Sequence, residues 1–524
     1  MIDACMRIEP SRTISDTRAR FAGASLRRCL PSLACLVATA LAGCTLGPAY
    51  QRPPVPVPQT WRTPAPDAAD VANTSWWEAF GDPDLDALIK DAIDANKDLL
   101  QAALRVQQFE AVLQISRSAK YPQVDYTTSA AHQRYSTERP VLLPQRVNPI
   151  QNAFEVGTRV SWELDVWGRV RSANEAALAE FLASEEAQRG VMLTVVTDVA
   201  TSYFQLLALD SQLDLAQKTL KSRNKTLELV QTRFSGGSAT RLAVAEAQAS
   251  VYDVSVVIPD IERQIAALEN SLSVLVGRNP GPVRRHAIDT LPVVPIPQGV
   301  PSDVLTRRPD VREAEQELVS ANAKIGVARA EYFPVISLTG LLGLGSNDLG
   351  NLLLHSATTG SVGGGLLGTI FSAGRGSGDV LQTEAVQKQM VVKYQQTVQN
   401  ALKEVEDALD FHARAGEIAA RGRLQVDSLR DVVRLAQMRY DGGQSSYLEV
   451  LDAERQLFSA EDHQVQRQRD IYLALISVYK AMGGGWMEAQ ESLRAAKAPS
   501  KAATMTPAAA VQAPAETAHG EKKQ

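Results

Sequence analysis

The residues of this chain best placed to do chemistry are one thiol and a few carboxylates. Cys44 ends the run Leu41-Ala42-Gly43-Cys44, which follows a basic pair, Arg27 and Arg28, and an apolar stretch from Cys29 to Leu41. A charged region, a short apolar core, small residues and then a cysteine to be acylated make the layout of a bacterial lipoprotein signal. The apolar run is too short to cross a bilayer as a helix and ends at a processing site. Residues 1–43 are therefore expected to be a signal peptide and the Cys44 sulfur to carry lipid. Each acyl CH2 buried in a membrane contributes about 0.8 kcal/mol. All four cysteines (Cys5, Cys29, Cys35 and Cys44) lie at or before that site. The body of the protein thus has no disulfide, no CxxC metal site and no cysteine nucleophile.

The carboxylates are Glu449 and Asp452, in Arg439-Tyr-Asp-Gly-Gly-Gln-Ser-Ser-Tyr-Leu-Glu-Val-Leu-Asp452. Gly442 and Gly443 permit a sharp reversal between two helices. Leu448, Glu449 and Asp452 then stand at i, i+1 and i+4, close to one helical face. Repeated around a symmetry axis, that face makes an apolar ring and acidic rings, which attract cations and repel one another. The plainer alternative is two solvated carboxylates near a helix start, where the helix dipole favours them. No catalytic constellation accompanies them. The six histidines (His132, His286, His355, His412, His463 and His519) lack a metal-ligand spacing such as HExxH, and Gly363-Gly-Gly365 precedes a strand-like segment rather than a phosphate-binding helix. The chain is read as a non-enzyme with no metal and no cofactor, so any transport energy must come from a partner.

The elements that position these residues form two copies of one unit. Gly168-Arg169 recurs as Gly374-Arg375, and Arg233-Phe-Ser-Gly-Gly237 recurs as Arg439-Tyr-Asp-Gly-Gly443, both 206 positions on. Tyr121-Pro122 recurs as Phe333-Pro334, 212 positions on, so six residues are absorbed between these landmarks. Residues 168–232 hold no proline and, after Gly168, a single glycine, Gly190. Met192, Val199, Leu206, Leu213, Leu220, Leu227 and Phe234 recur every seven residues, as in a coiled-coil seam. The second copy carries Val398, Val405, His412, Ala419, Val426, Val433 and Tyr440 at the same places. The descending arm repeats the pattern at Leu451, Phe458, Val465, Tyr472 and Tyr479.

Strands supply the second signal. From Phe154 to Val166, apolar or Thr residues alternate with Glu155, Gly157, Arg159, Ser161, Glu163 and Asp165. Apolar-out, charged-in alternation suits a membrane strand facing a wet lumen. Residues 122–135, 334–345 and 361–371 are further strands with blurred alternation. Tyr121, Trp167, Phe333 and Phe371 sit at strand ends, where membrane-interface aromatics belong. No segment after the leader has 18 continuous apolar residues, so any crossing must use a closed β-barrel. Four strands cannot close one, which demands more than one chain without fixing the number. The fold class is therefore a mixed α and β membrane protein with two internal repeats. Expected boundaries are a lipid-anchored extended segment at 44–82, a first repeat at 83–276, a Pro-rich connector at 277–300, a second repeat at 301–485 and a disordered tail at 486–524. A net charge of −5 over 524 residues gives no basic excess, so nucleic acid is not an expected partner.

Together these features resemble the TolC-type outer-membrane efflux channel family, in its lipoprotein branch (NodT-like, serving RND pumps). The resemblance runs from Cys44-Thr-Leu-Gly-Pro-Ala-Tyr50 through Trp76-Trp77-Glu-Ala-Phe-Gly-Asp-Pro-Asp-Leu85 to Met482-Gly-Gly-Gly485. It implies a homotrimer sharing a 12-stranded transmembrane β-barrel, four strands per chain, continued by a long α-helical coiled-coil tunnel in the periplasm. It implies a passive exit duct for small molecules, fed by an inner-membrane RND-type pump through a periplasmic adaptor. By resemblance Tyr440 is a gate tyrosine, Leu448 an apolar constriction, and Glu449 and Asp452 acidic rings. The turns at Gly236, Gly237, Gly442 and Gly443 would dock the adaptor. Thr45 after the cysteine resembles signals for the outer membrane rather than the inner one. Two departures stand out: Ser445 replaces an arginine found in many members, and Ala243 an aspartate found in some. A protein-secretion duct and a non-conducting envelope lipoprotein stay open as alternatives.

Overall fold

A computed structural model describes residues 46–63, 75–134, 149–287 and 304–484. The expected signal peptide, Cys44, most of the connector and the tail lie outside the described residues. The first repeat comprises α1 (Pro83–Ala95), α2 (Lys97–Ser118), β1 (Gln123–Arg134), β2 (Ile150–Leu164), α3 (Arg169–Ser235) and α4 (Arg241–Leu275). The second comprises α5 (Pro309–Ala330), β3 (Val335–Ser346), β4 (Thr358–Leu367), α6 (Arg375–Asp441) and α7 (Tyr447–Ala481). The helices match in length: α2 and α5 have 22 residues, α3 and α6 have 67, and α4 and α7 have 35. The six-residue difference therefore falls wholly between the end of α2 and the start of α3.

Local chemistry explains where helices begin. Asp82 caps α1 by accepting from the N–H groups of Asp84 and Leu85, and Pro83 fills the first helical position. Asn96 caps α2 at Leu99. The repeated Gly-Arg pair marks the strand-to-helix corner: Gly168 and Gly374 have φ of 78° and 89°, a left-handed turn that glycine adopts at low cost. At the first corner Asp165 accepts from the N–H groups of Val170 and Arg171, and Glu163 grips the Arg169 guanidinium at 2.6 Å. This revises the strand expected at 154–166. It ends at Leu164, and the charges at 163 and 165 serve the start of α3. The fourth strand likewise runs 358–367 rather than 361–371, so Phe371 lies beyond it, 85% exposed.

The four strands form one antiparallel sheet in the order β1-β2-β3-β4. Register resolves the alternation that the sequence blurs. Val160 pairs with Val124 on one side and Gly340 on the other; Thr158 pairs with Tyr126 and Leu342; Trp162 pairs with Leu338. Residues directly opposite share a face. One face thus carries Val124, Tyr126, Val156, Val160, Leu338 and Leu342, and the other Asp125, Glu155, Arg159, Ser337 and Thr339. Glycine is needed at one crossing: Gly157 pairs with Gly343, and a Cβ on Gly343 would lie 2.6 Å from the Val156 carbonyl oxygen.

Below the sheet the helices pack on α3. Val199, Tyr203, Phe204 and Leu206 are fully buried, and Trp76 stacks on Tyr479 of α7 at 5.1 Å. Along the seven-residue seam Met192, Val199, Leu206, Val398, Val405, Ala419, Val426, Leu451, Tyr472 and Tyr479 are buried, while Leu213, Leu220, Leu227, Val433, Phe458 and Val465 are half-buried. His412 is half-buried there, and desolvation lowers its imidazole below the usual range. Phe234 departs, 42% exposed, because α3 ends one residue later. One stretch of α3 is long and apolar enough for a membrane span, but 67% of it is buried inside this fold. Truncating one large seam residue such as Leu206 to Ala should cost about 2–5 kcal/mol. The N-terminal segment lies extended along α5, held where Arg52 Nε and Tyr50 Oη donate to Glu315 and the Asn322 amide donates to the Pro48 carbonyl.

The Gly157–Gly343 crossing generates a prediction. Gly343→Ala should disrupt pairing of β2 with β3 and abolish folded, heat-modifiable protein on gels. Gly345→Ala, whose Cβ meets only the Glu155 Cγ at 3.9 Å, should fold normally. Equal behaviour of the two variants would contradict the assigned register.

Candidate functional site

The far end of the helices, opposite the sheet, gathers most of the residues singled out by sequence. Both helical hairpins turn there: α3 into α4 through Gly236-Gly237, and α6 into α7 through Gly442-Gly443. Only the second glycine of each pair is left-handed, with φ of 79° at Gly237 and 72° at Gly443. Gly236 and Gly442 have ordinary φ of −77°. Thr240 caps α4 through the N–H of Ala243 at 3.2 Å.

Beneath the turns Val230, Ala243, Ala247, Ala436, Tyr447, Val450, Leu451 and Ala453 form a small apolar core drawn from α3, α4, α6 and α7. Its burial orients the first turns of α7. Tyr447, Val450 and Leu451 point inward, which leaves Leu448, Glu449 and Asp452 exposed on one face. Glu449 lies 3.3 Å from Arg439 across its own turn, and Asp452 accepts from the Gln456 amide at 2.7 Å. Tyr440 is half-buried at the edge of this core, 5.5 Å from the Tyr447 ring.

The two hairpins are laced together by pairs that spacing alone does not reveal. Arg233 donates to Asp441 at 2.8 Å, and its guanidinium stands 5.2 Å over the Tyr440 ring. Arg455 on α7 reaches Asp253 on α4 at 2.6 Å. Higher up, Arg223 is buried between α3, α4 and α7. It donates to the Ser250 carbonyl at 2.8 Å and lies 5.8 Å from the Phe458 ring. Burial pushes the nearby Glu454 carboxyl up, with Arg223 opposing. Arg233 and Asp441 belong to the repeated Arg-aromatic-x-Gly-Gly landmark, which was the available signal; Asp253 and Arg223 carry none. Ser445 makes no hydrogen bond with its buried hydroxyl, and Ala243 belongs to the apolar core. Cross-hairpin polar contact at the tip therefore rests on Arg233 and Arg455.

At the opposite end, Trp167 and Phe333 stack at 4.7 Å, and the Trp167 indole donates to the Pro334 carbonyl at 2.9 Å. Tyr121, 68% exposed, precedes β1 at the same helix-facing edge of the sheet. The expected aromatics at 121, 167 and 333 thus gather on one rim. His286, set aside on spacing, meets Asp84 at 2.7 Å, a contact between distant segments that no linear motif encodes.

Residues 88–278 and 300–484 match the family model described as "Outer membrane efflux protein", one span for each repeat. The chain belongs to that family. It is an outer-membrane efflux channel component, with its helical part in the periplasm. It is 34% identical over 466 residues to the toluene efflux pump outer membrane protein TtgF of Pseudomonas putida, covering 87% of this chain and 96% of that one. It is 35% identical over 458 residues to the cation efflux system protein CusC of Escherichia coli, covering 86% and 98%. The crystal structure of the open state of the Neisseria gonorrhoeae MtrE channel superposes with a TM-score of 0.76 at 30% identity, covering 84% of this chain and 99% of that one.

The Arg233–Asp441 link is exposed, so its contribution is small, about 0–1 kcal/mol. Its hydrogen bond from Arg233, then that from Gln437, holds the Asp441 carboxyl below its ordinary value. A depressed carboxylate keeps its bond above the unfolded value and loses it as pH falls through the folded one. Arg233→Ala and Asp441→Ala should each loosen the tip and raise single-channel conductance, with no further gain in the double variant. The difference from wild type should be constant between pH 5 and 8. Additive effects, or a difference that vanishes at pH 5, would count against this pairing.

Proposed function

We propose that three copies of this chain form a passive, gated exit duct: twelve strands closed into a barrel in the outer membrane, continued by a helical tunnel. The observation that carries this reading is the single sheet of four antiparallel strands with one apolar and one polar face. Among the described residues both outer strands leave a row of backbone groups without strand partners, which hydrocarbon does not tolerate. Each 67-residue arm spans about 100 Å at a rise of about 1.5 Å per residue, long enough to reach deep into the periplasm. Cys44 would tether each chain to the membrane through acyl lipid, and Tyr121, Trp167, Phe333 and Phe371 would mark the interface.

In the assembled duct the exposed face of Leu448, Glu449 and Asp452 lines the tip. Leu448 supplies an apolar constriction, Glu449 and Asp452 supply acidic rings, and Tyr440 supports the neighbouring hairpin through Arg233. Repulsion between rings favours opening, while the lacing pairs oppose it. An adaptor docks on the turns at Gly236-Gly237 and Gly442-Gly443 and shifts that balance; an inner-membrane RND-type pump supplies the energy. The cargo is small molecules. Relatives of nearly equal identity are named for toluene and for cations, which supports a duct whose cargo is chosen by the pump.

Single-channel recording in planar bilayers tests the gate. Wild type should give small, cation-favouring currents, and Glu449→Ala with Asp452→Ala should raise conductance and weaken the cation preference. Unchanged conductance and selectivity in the double variant would sink the assignment. Docking is tested separately: Ser238→Trp or Gln444→Trp should reduce crosslinking to the adaptor while trimers persist on native gels. Full crosslinking in both would move the docking surface away from the turns.

A further inference from the structure

We propose that Asp82, Asp84 and His286 form a binding site for a first-row divalent cation of Zn²⁺ type, which clips the connector between the repeats to the start of the first repeat. The proposal is independent of the gate and of the cargo.

The three side chains come from segments about two hundred positions apart, yet offer one ligand atom each within 4.8 Å of one another. His286 Nδ1 lies 2.7 Å from Asp84 Oδ2 and 3.7 Å from Asp82 Oδ1. A zinc ion at about 2.0–2.2 Å from nitrogen and oxygen ligands needs donor atoms about 3–4 Å apart. Small rotations of His286 and Asp84 open that space. One imidazole and two carboxylates suit Zn²⁺ or a neighbouring first-row ion better than Mg²⁺ or Ca²⁺, which favour all-oxygen shells. Three protein ligands leave a position for water, and His286, 58% exposed, provides the entry path.

The surroundings are arranged as an outer shell. Tyr203 is fully buried and donates its hydroxyl to Asp82 Oδ2 at 2.6 Å. That bond from a rigid tyrosine orients one of the three ligands. Next to His286, Arg285 is fixed between Asp210, at 2.8 Å, and Glu269, at 2.5 Å. Negative charge is in excess at this corner. Asp86 follows in the same helical turn and keeps a buried carboxylate oxygen with no hydrogen-bond partner. Among the described residues, His286 is the only basic side chain in ion-pair contact with Asp82 or Asp84. The α1 dipole, equivalent to roughly half a positive charge, opposes a cation there, but two ligand carboxylates outweigh it.

The test is calorimetric titration of ZnCl2 into the full, detergent-solubilised oligomer after chelator treatment. One equivalent per chain is expected, weakened at least tenfold by Asp84→Asn or His286→Gln. Both side chains are partly exposed, and retained oligomers on native gels will show that folding is intact. Co²⁺ binding to the wild-type protein gives a readout that needs no variant. Intense visible bands mark a four- or five-coordinate site containing nitrogen, whereas a spectrum like that of aqueous Co²⁺ counts against it. Absence of saturable Zn²⁺ binding, or undiminished binding in both variants, overturns the proposal. Either failure leaves conductance and efflux untouched, so it is distinguishable from failure of the duct reading.

Discussion

The two unpaired edges of the four-stranded sheet are the constraint from which the rest of this architecture follows. Among the described residues, β1 and β4 each carry N–H and C=O groups without strand partners on one side. In hydrocarbon every such group costs several kcal/mol, so a lone chain is not a stable membrane species. Closure with further copies removes the edges. In the proposed barrel, closure would also turn the polar face inward and set the direction in which the long helices leave it. The proposed ring at the tip is thus a consequence of a hydrogen-bonding problem at the opposite end of the molecule.

The corners transmit that geometry. Gly168 and Gly374 bend the chain from strand to helix in the left-handed region. The first corner is further held by Asp165 and the Glu163–Arg169 pair. Beyond the corners, stability is distributed unevenly. The middle of α3 is wrapped by α1, α4 and α7, with several large side chains fully buried. At the tip the core shrinks to alanines, two valines, a leucine and a tyrosine, and the hairpins are joined by exposed ion pairs of about 0–1 kcal/mol each. A structure built this way loosens first at the tip, where the proposed gate lies.

Much of this was legible in the residues. The repeat landmarks are physical necessities: Gly-Arg marks a left-handed corner, and Arg-aromatic-x-Gly-Gly marks a turn whose second glycine has positive φ. The seven-residue seam was readable because burial along two packed helices has a fixed period. The strand read at 154–166, which runs from Ile150 to Leu164, was readable because apolar and charged residues alternate along it. Its end was misplaced, since Glu163 and Asp165 fit a lumen-facing pattern and a helix cap equally well. In β3 and β4, glycine and leucine erase the alternation, and only pairing with β2 assigns a face to each position.

The sequence by itself determined the long helices and the face carrying Leu448, Glu449 and Asp452, because each depends on periodicity along one segment, and the repeat, because its landmarks recur at one offset. Tertiary structure alone decided which charges meet: Arg233 with Asp441, Arg455 with Asp253, and His286 with Asp82 and Asp84. These contacts join residues some two hundred positions apart. Their partners are chosen by how helices pack across the repeat, and no local spacing records that choice.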